Sequence, residues 1–206
     1  KTFHFPQVTS QLKTSMSYFV TSENGEGYSL FFTRLPVVTL LSSDSIMDEP
    51  RVHAQFNLIE SNGASISSDI GIEYRGATSQ QYPKKSYRIE FTTDATLNTT
   101  KDVRLLSMRN DDDWNLQALY TEPLRSQNMV CFELWDELNT LHYKNQEPNA
   151  INGVRQKYVE VFTNGKYMGV FALGERIDRK QLQLRTFNGN IRGELYKAVD
   201  WDGAVM

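Results

Sequence analysis

Two adjacent lysines carry the first chemical signal in this chain. Arg75-Gly76-Ala77-Thr78-Ser79 runs through Gln80, Gln81, Tyr82 and Pro83 into Lys84-Lys85-Ser86-Tyr87-Arg88-Ile89-Glu90-Phe91. A short polar loop between two strands, with cations at the mouth of the second, can hold an anion such as phosphate: backbone N–H groups and hydroxyls donate, and ammonium groups supply charge. The loop is neither a Walker loop nor a dinucleotide fingerprint. On these residues alone, a loop with solvated lysines is the competing reading.

Other candidates are weaker. Asp111-Asp112-Asp113 offers oxygen ligands for a hard cation such as calcium, but without the spaced ligands of an EF-hand, so capping and turn roles are preferred. His4, His53 and His142 lie too far apart for ligand spacing. Cys131 is the single cysteine, which excludes an intrachain disulfide and a cysteine metal cluster, and its apolar surroundings predict burial. The net charge of −3 provides no global basic field, so no nucleic-acid partner is expected. No apolar run approaches the ~20 residues of a membrane span, so no transmembrane segment is expected. The chain begins at Lys1 and stops at Val205-Met206, which reads as an excised or processed piece with an arbitrary end.

Alternation predicts the elements that would position the loop. Strands are expected over Leu35–Leu41, Val52–Glu60, Ile66–Arg75 and Lys85–Thr92. Tyr158–Thr163 and Tyr167–Leu173 read as a hairpin around Asn164-Gly165. Tyr87, Ile89 and Phe91 share one face of their strand, and alternation puts Lys85 on that face and Lys84 on the other. Leu124, Asn128, Cys131, Leu134, Trp135, Leu138 and Leu141 recur at three-to-four spacing, predicting one long helix over Pro123–Leu141 with Thr121 as its N-cap. Asp102–Leu106 reads as a helical turn, Arg179–Leu184 as a short helix and Glu194–Val199 as a last strand. The expected class is α+β: a mostly antiparallel sheet with one long helix packed on it. Residues 1–34 read as an arm or extra strands, and 35–206 as the main domain.

The loop and several later blocks together resemble the CotH family of atypical kinases. The blocks occur in family order: Leu35-Pro36-Val37-Val38, the Arg75–Tyr87 stretch, Leu105-Leu106 through Asp113-Trp114-Asn115-Leu116, Leu124-Arg125, Tyr158 through Asp178, and Gly193-Glu194-Leu195-Tyr196-Lys197. The resemblance implies a kinase small lobe plus linker, ATP with Mg or Mn as cofactors of the whole protein, and a coat or surface protein as acceptor of phosphate on serine or threonine. It also implies a bacterial cell-surface, secreted or spore-coat location. On that template, Gly76 to Ser79 lie over the phosphates and Lys84 or Lys85 contacts them. Lys85 is preferred because the helix could hold it on the apolar face. Glu133 is the chosen helix partner for the lysine, from among Glu133, Asp136 and Glu137. Backbone groups near Leu173 and Glu175 would meet the adenine, while the Glu175 side chain either hydrogen-bonds the nucleotide or braces the connector, bracing being preferred. Arg75 is read either as a ligand or as a structural partner of a carboxylate.

Two family positions differ here. Tyr120 stands where the family has an acidic residue five before the helix arginine, and Ser126 where it has asparagine after it, so no ligand role is carried onto the helix entry. The resemblance places the metal-binding and catalytic aspartates beyond Met206, so Asp200 and Asp202 are set aside and this piece alone is expected to be inactive. The alternative, from a different class, is a non-catalytic surface or coat module that binds protein or carbohydrate through Tyr74, Tyr82, Tyr87, Trp114 and Tyr120.

Overall fold

A computed structural model describes residues 2–6, 11–14, 16–191 and 193–196. Near the start, β1 (Phe3–His4), β2 (Ser17–Ser22) and β3 (Gly27–Phe31) form a small antiparallel sheet of their own. The main body follows: β4 (Val37–Leu41), β5 (Val52–Ile59), β6 (Ser65–Arg75) and β7 (Ser86–Phe91). A two-residue pair, β8 (Val103–Arg104) and β9 (Asn110–Asp111), leads into β10 (Asp113–Gln117). Helix α1 (Gln127–Leu138) precedes β11 (Gln156–Thr163) and β12 (Lys166–Glu175).

Seven strands close into a barrel in the order β10-β12-β11-β4-β5-β6-β7, with β7 returning to β10. Every pairing in it is antiparallel except β11 with β4. Strict alternation turns one face of each strand inward. Phe56, Ile72, Ile89, Trp114, Val161 and Phe171 are all 0% exposed there. The register aligns Ile72 with Ile89 and Ile89 with Trp114, so the interior fills in rows. Each such side chain contributes about 1.5–3 kcal/mol by leaving water. Asn164-Gly165, with φ of 49° and 78°, makes the tight β11–β12 turn that its sequence predicts.

The expected α+β class is corrected by this closure. The fold is mostly β, and α1 buries no residue. Alternation gives each strand an apolar face but does not say whether the sheet is open. Once closed, that face is filled from within and offers no surface on which a helix can pack. The helix is also shorter than predicted. Arg125 takes a left-handed φ of 57°, and Glu122 accepts hydrogen bonds from Leu124 N (2.8 Å) and Gln127 N (3.1 Å), so a turn occupies 122–125 before α1 begins. Cys131 is exposed, not buried, because the helix around it is solvated.

Smaller corrections share a cause: short polar segments take whatever structure their neighbours impose. The expected helical turn at Asp102–Leu106 is instead β8, paired with β9. Residues 179–184 form hydrogen-bonded turns, not a helix. Residues 194–196 carry no strand, and 197–199 lie outside the described residues. Among the described residues, no helix is long and apolar enough to cross a membrane.

Candidate anion-binding site

The loop from Gly76 to Lys85 folds back on itself before entering β7. Gly76 has φ 118°, and a Cβ placed there would come within 1.9 Å of Ser79 Oγ, so only glycine allows this bend. Thr78–Gln81 makes a single 3-10 turn. Gln80 Nε2 donates to Gly76 O (2.6 Å), and Lys85 Nζ donates to Gln80 O, which clasps the turn from its far side.

Lys84 is held differently. It precedes β7, so strand alternation does not govern it. Its ammonium donates to Ala118 O (2.9 Å) and to Val170 O, and lies 4.0 Å from the centre of the Phe171 ring. No carboxylate pairs with it among the described residues. Burial first, then the nearby Arg125 guanidinium, lower its pKa from 10.5 to about 8 against the opposing pull of Glu160.

Arg75 lies beside the same space. On the outer barrel face, Arg51 pairs with Glu73 (3.4 Å) and Glu90, Arg88 with Glu73 (3.3 Å) and Asp113 (3.1 Å), and Arg176 with Asp113 (2.7 Å). Three arginines thus match three carboxylates, and Arg75 has no carboxylate partner among the described residues. Desolvation lowers its pKa, with Arg176 and Arg88 adding to the effect. A cavity of about 220 Å³ opens between Arg75 and Lys84, lined also by Ser79, Ser86, Gln117 and Asn128. Among the described residues, no carboxylate lines it. Tyr82 and Tyr120 stack at its edge with ring centres 5.4 Å apart. Two under-compensated cations with hydroxyl and amide donors can hold a compact anion.

The sequence-predicted residues therefore fall into separate places. Arg75, Ser79 and Lys84 meet at this cavity, with Gly76 shaping the loop and Lys85 tying it. Glu133 lines a different space, with Phe132, Asp136 and Gln156, and pairs with neither lysine among the described residues. Leu173 is fully buried inside the barrel, and its backbone is paired to Leu116 on one side and Lys157 on the other. Sequence reasoning missed Ser86, Gln117 and Asn128. Asn128 Nδ2 donates to Gln117 Oε1 (3.0 Å), a meeting that no local pattern signals.

Glu175 anchors a second, fully engaged network. Its carboxylate accepts from Arg109 N (2.8 Å), Arg155 N (3.2 Å) and Arg155 Nη2 (2.6 Å). The Arg109 guanidinium in turn pairs with Asp111 and Asp178, and donates to Arg176 O (2.7 Å). Lys180 donates to both Asp111 and Asp112. Burial alone would raise Asp112 and lower Lys180; their mutual bond reverses both, holding the carboxyl well below its usual range and the ammonium above its own. Asp102, Asp111 and Asp112 form a carboxylate group, but Lys180 already occupies it, and Arg88 and Arg176 occupy Asp113. Asp111, Asp112 and Asp113 are thus each paired with cations of the chain itself. Lys197, Asp200 and Asp202 lie outside the described residues.

Comparison with known proteins agrees with the motif order. Inner spore coat protein H of Bacillus subtilis (strain 168) is 29% identical over 134 residues, covering 65% of this chain and 30% of that protein. The chain thus spans less than a third of the length of this relative. The profile of the CotH kinase protein family matches residues 72–204, from the end of β6 through the loop, the barrel's second half and the connector, and the chain belongs to that family.

Proposed function

We propose that this chain carries the nucleotide-binding part of an ATP-dependent Ser/Thr protein kinase of the CotH type, associated with a coat or surface layer. The observation that supports it is the Arg75–Lys84 cavity, where two cations without carboxylate partners face hydroxyl and amide donors. The cavity fits the phosphates of ATP, with Lys84 and Arg75 supplying charge and Ser79 a hydroxyl. Gly76 and Lys85 keep the loop bent over that space. A bound nucleotide supplies the transferable phosphoryl group; this chain's residues bind and orient it. No carboxylate in the described cavity supplies a base or a metal ligand, so those groups come from other parts of the protein. The acceptor is a serine or threonine of a coat or surface protein.

Calorimetric titration with ATP tests this reading. Binding is expected, with at least a tenfold loss in Lys84→Met. Absence of binding, or equal binding by the variant, overturns it. Titration with oligosaccharides is the companion measurement: binding there that depends on Tyr82 and Tyr120, without ATP binding, would instead make the chain a carbohydrate-binding module.

A further inference from the structure

A larger cleft, about 720 Å³, lies between the β8–β9 turn, residues 144–155 and the chain that follows β12. Among the described residues its charged lining is entirely cationic. Arg109, Arg155 and Lys180 line it, but each is committed to carboxylates behind the wall. Four more cations are not. Among the described residues, the Lys144 ammonium donates only to Ala150 O, and the Arg179 guanidinium only to Leu184 O (3.3 Å). Among the described residues, the Arg104 and Arg185 side chains have no hydrogen-bond or ion-pair partner. A carboxylate-free cluster of this kind in a chain of net charge −3 does not follow from overall composition.

We propose that this cleft is a second anion site, taking a ligand with two or more phosphate groups. Unpaired like charges repel one another, and a polyvalent anion relieves that repulsion. Guanidinium groups match phosphate oxygens in a two-pronged geometry, and Arg104 and Arg185 approach from different chain segments. The volume exceeds what one phosphate fills and falls within the range of roughly 300–1,000 Å³ typical of small-molecule sites. The proposal stands on this cluster alone and is independent of the reading of the Lys84 cavity.

Inorganic tripolyphosphate is the probe, titrated calorimetrically into the chain at low and at high salt. Binding is expected at low salt and weaker at high salt. The double variant Arg104→Gln/Arg185→Gln loses at least tenfold in affinity while its melting temperature stays unchanged, because neither side chain holds anything in place; the two single variants each show part of the loss. Lys84→Met removes only the share of tripolyphosphate binding that belongs to its own cavity and keeps the share that Arg104→Gln/Arg185→Gln abolishes. Competition by ATP would identify a nucleotide as the phosphate source, and its failure an inorganic or non-nucleotide one. No binding at low salt, or full binding by the double variant, overturns the proposal. Loss in Lys84→Met with full binding by the double variant also overturns it, while leaving the Lys84 reading intact.

Discussion

Two of the functional candidates named from sequence, Lys84 and Glu175, sit in opposite electrostatic conditions. Glu175 is 2% exposed, and its oxygens are saturated by Arg155 and by the Arg109 backbone. Lys84 is half-buried, donates only to carbonyls and a ring face, and has a lowered pKa. A buried charge whose partners are complete braces the structure. One left without an opposite charge is held at a cost to stability, and that is the condition in which a ligand gains from arriving.

The comparison breaks most readily at Glu175. Glu175→Ala leaves Arg155 and the Arg109 amide without their acceptor, and should destabilise the fold by about 3 kcal/mol. Urea unfolding measures this; a loss below about 1 kcal/mol would remove Glu175 from the bracing role.

Gly76→Ala is expected to come next. Its Cβ would collide with Ser79, in a backbone conformation that alanine rarely adopts, at a cost of about 1–3 kcal/mol. The accompanying loss of ATP binding would tie the bend to the site; unchanged unfolding and unchanged binding would separate them.

Lys84→Met should behave oppositely to Glu175→Ala. Its stability stays within about 1 kcal/mol of the parent or rises, because a poorly compensated charge is removed, while ATP affinity falls. The pH dependence sharpens the point. The folded chain releases the Lys84 proton near pH 8, and the unfolded chain near 10.5. Between those values the unfolded state binds more protons, so stability rises with pH across that window. A phosphate ligand favours the charged ammonium, so ATP affinity falls as pH climbs through about 8 and binding takes up protons there. Calorimetry in buffers of different ionisation enthalpy reads that uptake, and Lys84→Met abolishes it.

The smallest effect is expected on the helix. Leu138 is 76% exposed, and Leu138→Gln should change unfolding free energy by no more than about 0.5 kcal/mol. A larger loss would mean that α1 is held by contacts of the kind seen at Glu175.

Much of the strand inventory was legible because a barrel strand must alternate. Val52–Ile59 and Ser65–Arg75 fall where the period-two pattern puts them, and the Asn164-Gly165 turn follows from the positive φ its two residues tolerate. The order of motifs likewise led to the family whose profile matches residues 72–204. Less legible was the helix. Its three-to-four spacing was real, but that spacing does not reveal whether a receiving surface exists. Strand parity separates Lys84 from Lys85 only inside a strand, and β7 begins at Ser86, so parity places neither ammonium.

By itself, the sequence determined which residues face inward along each strand, where the chain turns, and that cations cluster after the Gly76 bend. Side-chain alternation and glycine stereochemistry are local properties and need no distant partner. Tertiary structure alone decided that the sheet closes, that Asn128 and Gln117 reach the loop's cavity, and which charges find opposite charges. Compensation depends on residues such as Arg109, Asp111 and Lys180, separated along the chain and joined only when the barrel and its connector fold together.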